Sequence, residues 1–381
     1  MTARYWHLTD DGRVRCDLCP RECTLRDGQR GFCFVRQNIG GRLELTTYGR
    51  SSGFCVDPIE KKPLNHVSAG QAVLSFGTAG CNLGCRFCQN WELSTAHESD
   101  ILSVTATGEQ IAEAAVVSGC RGVAYTYNDP VIFAEYAIDV AAACHERGLL
   151  NVAVTAGYLN AEPRADFFAW MDAANVDLKS FDPAFYRKVV GGHLETVQET
   201  LRCLVHETQV WVEVTTLVIP GLNDSDAELS TLAEWIAGEL GPSVPWHVTA
   251  FHPDNKMRDV PPTSRAALTR ARRLGQDAGL RFVYTGNVRD LDGATTFCPS
   301  CGRAVVVRNG YAVTTYALGP DGSCRHCGEA VPGRWDAAAG TWGNARRRVG
   351  IGTRPSAHVP PARPFTYGLA PHGPPERGGN P

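Results

Sequence analysis

Seven short apolar runs, each followed by a stretch of helical periodicity, fill the sequence from Ala72 to Gly286 and restrict its fold more than any other feature. The runs are Ala72 to Gly77, Gly122 to Thr126, Asn151 to Thr155, Asn175 to Leu178, Val210 to Val218, Trp246 to Phe251 and Arg281 to Thr285. Such alternation is the mark of βαβ units. Right-handed crossovers wind them into a parallel sheet or barrel of the α/β class, with functional loops at the carboxyl ends of the strands. Helix caps punctuate the pattern. Thr107 and Gln110 form a capping box ahead of Ile111 to Ser118, which Gly119 can close. Asp129 followed by Pro130 supplies an N-cap and an N1 proline for the helix ending at Gly148.

Directly after the first run come Cys81, Cys85 and Cys88, spaced C-x3-C-x2-C in a loop that reaches Asn90. A 4Fe-4S cube ordinarily takes four cysteines, so three thiolates on one short loop leave one iron open to an outside ligand. The competing assignment is zinc. A closed zinc site wants a fourth ligand, and the nearest histidine is His97.

Eleven of the 15 cysteines fall into three tight groups rather than a dispersed disulfide framework. With no apolar leader in Met1 to Gly12 and no membrane-length run, this predicts metal binding in a reducing, cytoplasmic setting. The first group is Cys16, Cys19, Cys23 and Cys33, set in sequence with little apolar content, so a metal supplies the folding energy. Zinc and a second iron-sulfur cluster both suit it, and structural zinc is the preferred reading. Cys55 stands outside the pattern and reads as a small buried side chain. The third group is Cys298, Cys301, Cys324 and Cys327, two knuckles flanking Asn309-Gly310 between alternating runs. That arrangement predicts a hairpin inside a zinc ribbon, with His326 not needed as a ligand.

Net charge is -3, which gives no electrostatic case for nucleic-acid binding by the whole chain. Hydrophobic residues at 43% and charged residues at 20% suit a globular enzyme. From Ala345 to Pro381, six arginines and eight prolines without aliphatic periodicity predict a disordered tail. Lys61 and Lys62, between Pro58 and Pro63, read as a solvated turn, while their place just upstream of the cysteine loop also points to a role near the site. His252, at a strand end, reads on its own as a structural hydrogen-bonder.

These residues together resemble the radical S-adenosylmethionine (SAM) superfamily, and most closely its AmmeMemoRadiSam system enzymes, relatives of the pyruvate formate-lyase activating enzymes. The resemblance runs from Cys16 to about Trp335. It rests on the three-cysteine loop, Cys16-x2-Cys19-Pro20, Asp57 to Leu64, Ser75-Phe76-Gly77, Cys88-Gln89-Asn90-Trp91 and Tyr125-Thr126-Tyr127-Asn128. It implies a partial (β/α)6-type barrel over 67–290, after an N-terminal Cys-rich module at 1–66 and before a ribbon at 291–343 and a tail at 344–381. It also implies a 4Fe-4S cluster on Cys81, Cys85 and Cys88, with SAM chelating the open iron. Reductive cleavage of SAM would then yield a 5'-deoxyadenosyl radical for hydrogen abstraction.

Residue by residue, the resemblance places Phe87 beside adenine and Asn90 at a polar position after the loop. Asn128 and Asp129 fall on the turn that binds the SAM amino group, Asp177 and Lys179 on a SAM-contacting strand end, and His252 on a ribose or adenine contact. Ala156 stands where asparagine is usual, and Glu213 where the activating enzymes use arginine. The implied partners are a flavodoxin or ferredoxin reductant and Memo-type and AMMECR-type proteins. Glycyl-radical activation of a partner enzyme competes with direct modification of a peptide, nucleic acid or metabolite. A non-catalytic zinc-binding adaptor is the alternative outside enzymes.

Overall fold

The computed structural model describes residues 1–96, 102 and 104–351. His97, the alternative zinc ligand, lies outside the described residues, as do residues 352–381.

All seven expected runs are strands of one sheet. We label its strands β1 (Phe54–Pro58), β2 (Ala72–Phe76), β3 (Gly122–Tyr125), β4 (Leu150–Thr155), β5 (Ala173–Asp177), β6 (Trp211–Val218), β7 (Trp246–Ala250), β8 (Val283–Gly286) and β9 (Arg347–Val349). From β2 to β8 the strands are parallel and lie in chain order. Consecutive neighbours joined by crossovers of one hand carry the connecting helices on a single face and curve the sheet around the other. Parallel strands are covered on both faces, and β2 is buried at every position. The sheet runs one parallel strand past the six of the expected barrel, and β1 extends its other edge by antiparallel pairing with β2.

Local signals fix the crossovers. Thr107 caps α1 (Gly108–Val117) with both hydrogen bonds of the capping box, and Gly119 follows with φ +69°. Asp129 caps the 3-10 turn Pro130–Phe133, from which α2 (Ala134–His145) continues.

Two smaller units pack on this frame. The N-terminal cysteines sit among short antiparallel pairings, Trp6–Leu8 with Val14–Cys16 and Arg36–Ile39 with Arg42–Leu45. A buried ion pair, Arg36 with Glu135 at 2.6 Å, ties this unit to α2. At the other end, Ala304–Asn309 and Ala312–Tyr316 form the hairpin expected around Asn309-Gly310, with Gly310 at φ +63°.

One expectation fails. The disordered tail was to begin at 344, yet Arg347–Val349 is β9, paired antiparallel with β1. Its arginines are exposed because β9 is an edge strand, so it carries no apolar alternation that a sequence reading could detect.

Candidate active site

A cavity of about 1300 Å³ opens at the carboxyl ends of the parallel strands. The loop after β2 supplies its head. Two glycines make that loop possible. A Cβ on Gly77 would stand 2.4 Å from the Thr126 carbonyl oxygen, and one on Gly80, at φ +79°, only 1.9 Å from that of Cys33. Beyond them Cys81, Cys85 and Cys88 all line the cavity.

Backbone contacts from three directions hold the loop. Gly84 N and Arg86 N donate to Val190 O and Val189 O, Lys256 N donates to Arg86 O, and Asn255 Nδ2 reaches Cys85 O at 3.2 Å. Trp91 Nε1 donates to Asp254 Oδ1 at 2.9 Å. Burial pushes the Cys81 thiol well up, the Cys85 thiol to about 12 and the Cys88 thiol up as well. These sulfurs are therefore thiols until a metal displaces their protons.

The other residues singled out by sequence converge on the same cavity. Phe87 is buried with its ring 6.0 Å from that of Phe185. Asn90 lines the cavity at the start of the short helix Trp91–Ser94. Asn128 is engaged with the chain leading to Cys81: its Oδ1 accepts from Thr78 N at 3.0 Å, and its Nδ2 faces Thr78 Oγ1, Ala79 O and Gly80 O. Asp129 accepts from Thr155 Oγ1 at 2.7 Å and Ala156 N at 2.9 Å, and burial raises its carboxyl above the ordinary range despite these bonds. At the end of β5, Asp177 and Lys179 point the same way and pair at 2.8 Å. Burial alone would lower the Lys179 ammonium; the Asp177 carboxylate outweighs it and holds the group charged. His252 is exposed at the rim after β7.

Glu213 lies away from this cavity. It is fully buried, accepts from Asn65 N and His66 N at 2.9 and 2.8 Å, and faces His247 Nε2 at 2.6 Å, so it fastens β6 to the segment before β2.

Of the two readings of Lys61 and Lys62, the solvated turn is overturned and the place beside the site is observed. Lys62 is 2% exposed and lines the cavity, with Nζ 2.8 Å from Asp57, while Lys61 reaches the same carboxylate at 3.0 Å. Arg346, from the segment leading into β9, comes within 3.6 Å of Asp57, and Tyr127 donates to it at 2.8 Å. Burial lowers Lys62 to about 8, although Asp57 opposes this. Tyr311 and Gly310 of the hairpin complete this wall. The convergence was hidden because Asp57, Tyr127 and Arg346 are far apart in sequence: Asp57 and Tyr127 fall in separate stretches of the resemblance, and Arg346 lies outside it.

The three cysteine groups differ in spacing. Cys298 Sγ lies 3.5 Å from Cys327 Sγ and Cys301 Sγ 3.9 Å from Cys324 Sγ. Among the described residues, these four are the one group of three or more His, Cys, Asp or Glu whose ligand atoms all lie within 4.8 Å of one another. A tetrahedral ion with metal-sulfur bonds of about 2.3 Å needs sulfurs roughly 3.8 Å apart. The C-terminal group fits one such ion without His326, and Cys55 is a buried side chain, as expected, with Arg346 Nε 3.1 Å from its Sγ. The loop thiols form no such group, and three thiolates suit a 4Fe-4S cube with one open iron.

The model of the radical SAM superfamily matches residues 76–233. An uncharacterized protein of Methanocaldococcus jannaschii is 39% identical over 330 residues, 86% of this chain and 98% of that one. The isethionate sulfite-lyase activating enzyme of Nitratidesulfovibrio vulgaris is 24% identical over 237 residues, 61% of this chain and 76% of that one. Among solved structures, a radical SAM methyltransferase from Sphaerobacter thermophilus aligns with a TM-score of 0.46 at 18% identity, covering 61% of this chain and 70% of that one. Three cysteines on the loop after the first of seven parallel strands, inside the matched region, make this chain a member of the radical SAM superfamily.

Proposed function

We propose that this protein is a radical SAM enzyme acting on a substrate held between the cysteine loop and the Lys62 wall. The observation that carries the reading is one large cavity with widely spaced thiols at its head and charged strand ends beside them. Cys81, Cys85 and Cys88 would hold a 4Fe-4S cluster, and Phe87, Asn90, Asn128, Asp129, Asp177, Lys179 and His252 are the proposed SAM-binding residues. Bound there, cluster and SAM supply a 5'-deoxyadenosyl radical upon one-electron reduction, the chemistry that the family implies.

The chain's own residues orient and shield. The Lys179 ammonium offsets the negative charge of three thiolates, and Asp177 fixes its position. Asp129 presents a carboxylate for an ammonium, braced by Thr155 and the Ala156 amide. Asn128 acts through the loop, by pinning residues 78–80. Val154 and Leu217 give the cavity apolar surface for a purine and exclude water. The C-terminal cysteines would bind one structural zinc that stabilises the hairpin and thereby the far wall.

Within the superfamily we place the chain with the AmmeMemoRadiSam enzymes, with Memo-type and AMMECR-type proteins as partners and a flavodoxin or ferredoxin as electron donor. The likeness to an activating enzyme favours a second reading, glycyl-radical formation on a partner enzyme. Anaerobically reconstituted protein should convert SAM to 5'-deoxyadenosine when reduced with dithionite. A sample that binds zinc alone and leaves SAM intact refutes the enzyme and supports the adaptor. A glycyl radical detected on an added partner by electron paramagnetic resonance (EPR) would select the second reading.

A further inference from the structure

We infer that Cys16, Cys19, Cys23 and Cys33 hold a second, fully protein-ligated 4Fe-4S cluster, built against the back of the active-site loop. All four side chains wall a small enclosed cavity, and three of them are buried. All four are free thiols, so no disulfide accounts for their convergence.

Spacing decides between the two metals that the sequence allows. The C-terminal cysteines show how four sulfurs sit when a site is cut for one tetrahedral ion, in contact at 3.5 and 3.9 Å. The N-terminal four form no such group: among the described residues, the C-terminal set alone gathers its ligand atoms within 4.8 Å. Four sulfurs set wider around an enclosed space match a cube, which takes one thiolate on each of four irons. In this they resemble Cys81, Cys85 and Cys88, with the fourth ligand supplied. A closed cube has no iron left to chelate SAM, so this site is distinct from the catalytic one.

Position supports the same conclusion. Residues of the active-site loop alternate between the two sites. Cys81 lines the large cavity, while Asn82 lines the N-terminal one. Gly80 meets the Cys33 carbonyl, Arg21 donates to the Asn82 carbonyl, and Gly84 packs on Phe32. The two cysteine groups thus share the wall formed by residues 80–84.

The test is metal and sulfide content. A Cys81→Ala/Cys85→Ala/Cys88→Ala variant, reconstituted anaerobically with ferrous iron and sulfide, should retain about four iron and four sulfide per chain, against about eight of each in the unaltered protein. Zinc in place of that iron, or no iron and sulfide, overturns the inference. Should the variant not fold, the unaltered protein still decides. SAM should perturb the EPR signal of about half the reduced clusters and leave the rest unchanged. About four iron per chain, all responding to SAM, refutes the second cluster while sparing the proposed function. Iron that never responds to SAM refutes the function without touching the count.

Discussion

Two sets of cysteines in this molecule have the same donor atom and opposite consequences. At the C-terminal hairpin, Cys298, Cys301, Cys324 and Cys327 crowd together, two of them exposed. On the loop after β2, three cysteines stand apart at the head of a cavity of about 1300 Å³. The difference teaches that donor spacing and the room beside it, rather than donor identity, distinguish the proposed structural site from the proposed catalytic one. It also makes the two sites separable by experiment.

The largest effect should come from Cys85→Ala. With two thiolates left, the loop cannot hold the proposed cluster, and formation of 5'-deoxyadenosine should fall below detection. The zinc proposed for the hairpin should stay at one per chain by elemental analysis. Loss of that zinc as well would break the comparison, because the two sites would then not be independent.

The converse change is Cys301→Ser with Cys327→Ser. In small modules the binding free energy of structural zinc, about 10–16 kcal/mol, is folding free energy. Residues around Ala304–Tyr316 should therefore become open to limited proteolysis. SAM cleavage should persist, but without coupling to substrate, because Gly310 and Tyr311 line the far wall.

What the sequence made legible had local grammar. The seven runs, the Thr107 capping box, the Asn309-Gly310 turn and the spacing of the cysteines each follow from residues a few positions apart, and each is present in the fold. The strand-end pair Asp177 and Lys179 was readable through the resemblance, and the two-residue spacing on a strand then put both on one face. Asp57, Tyr127 and Arg346 around Lys62 were not, since only tertiary structure brings together residues separated by β2, β3 and the hairpin. The same blindness turned β9 into a tail: an edge strand of three residues needs a partner rather than a pattern.

A smaller change sharpens the catalytic side. Lys179→Met keeps the volume of the side chain but removes the cation that faces Asp177 and the Cys85 sulfur. Affinity for SAM should fall about 10–100-fold, or roughly 1.4–2.8 kcal/mol. Isothermal titration of the reconstituted protein with SAM measures it, and the iron content should not change. An unchanged affinity would remove Lys179 from the proposed SAM site.

The smallest effect concerns how the hairpin end is attached to the barrel-like core. His66 is fully buried, with Nε2 2.6 Å from Tyr284 Oη and Nδ1 2.6 Å from Pro332 O, and its ring stacks on Trp211 at 5.9 Å. Burial pushes its pKa down to about 4, from an ordinary value near 6.5. Between those values the unfolded chain binds a proton that the folded chain does not, so stability is full above the higher value and falls as pH drops toward the lower one. At pH 5.5 the loss should be about 1.4 kcal/mol, reaching roughly 3 kcal/mol near the folded-state value. Urea unfolding of the zinc-loaded protein at pH 7 and at pH 5.5, with His66→Gln as control, isolates this contribution. The variant should be less stable at pH 7 yet lose about 1 kcal/mol less than the unaltered protein on acidification. Equal pH dependence in both would show that the acid sensitivity lies elsewhere, with the hairpin thiolates the first alternative, since they would release the proposed zinc as they take up protons.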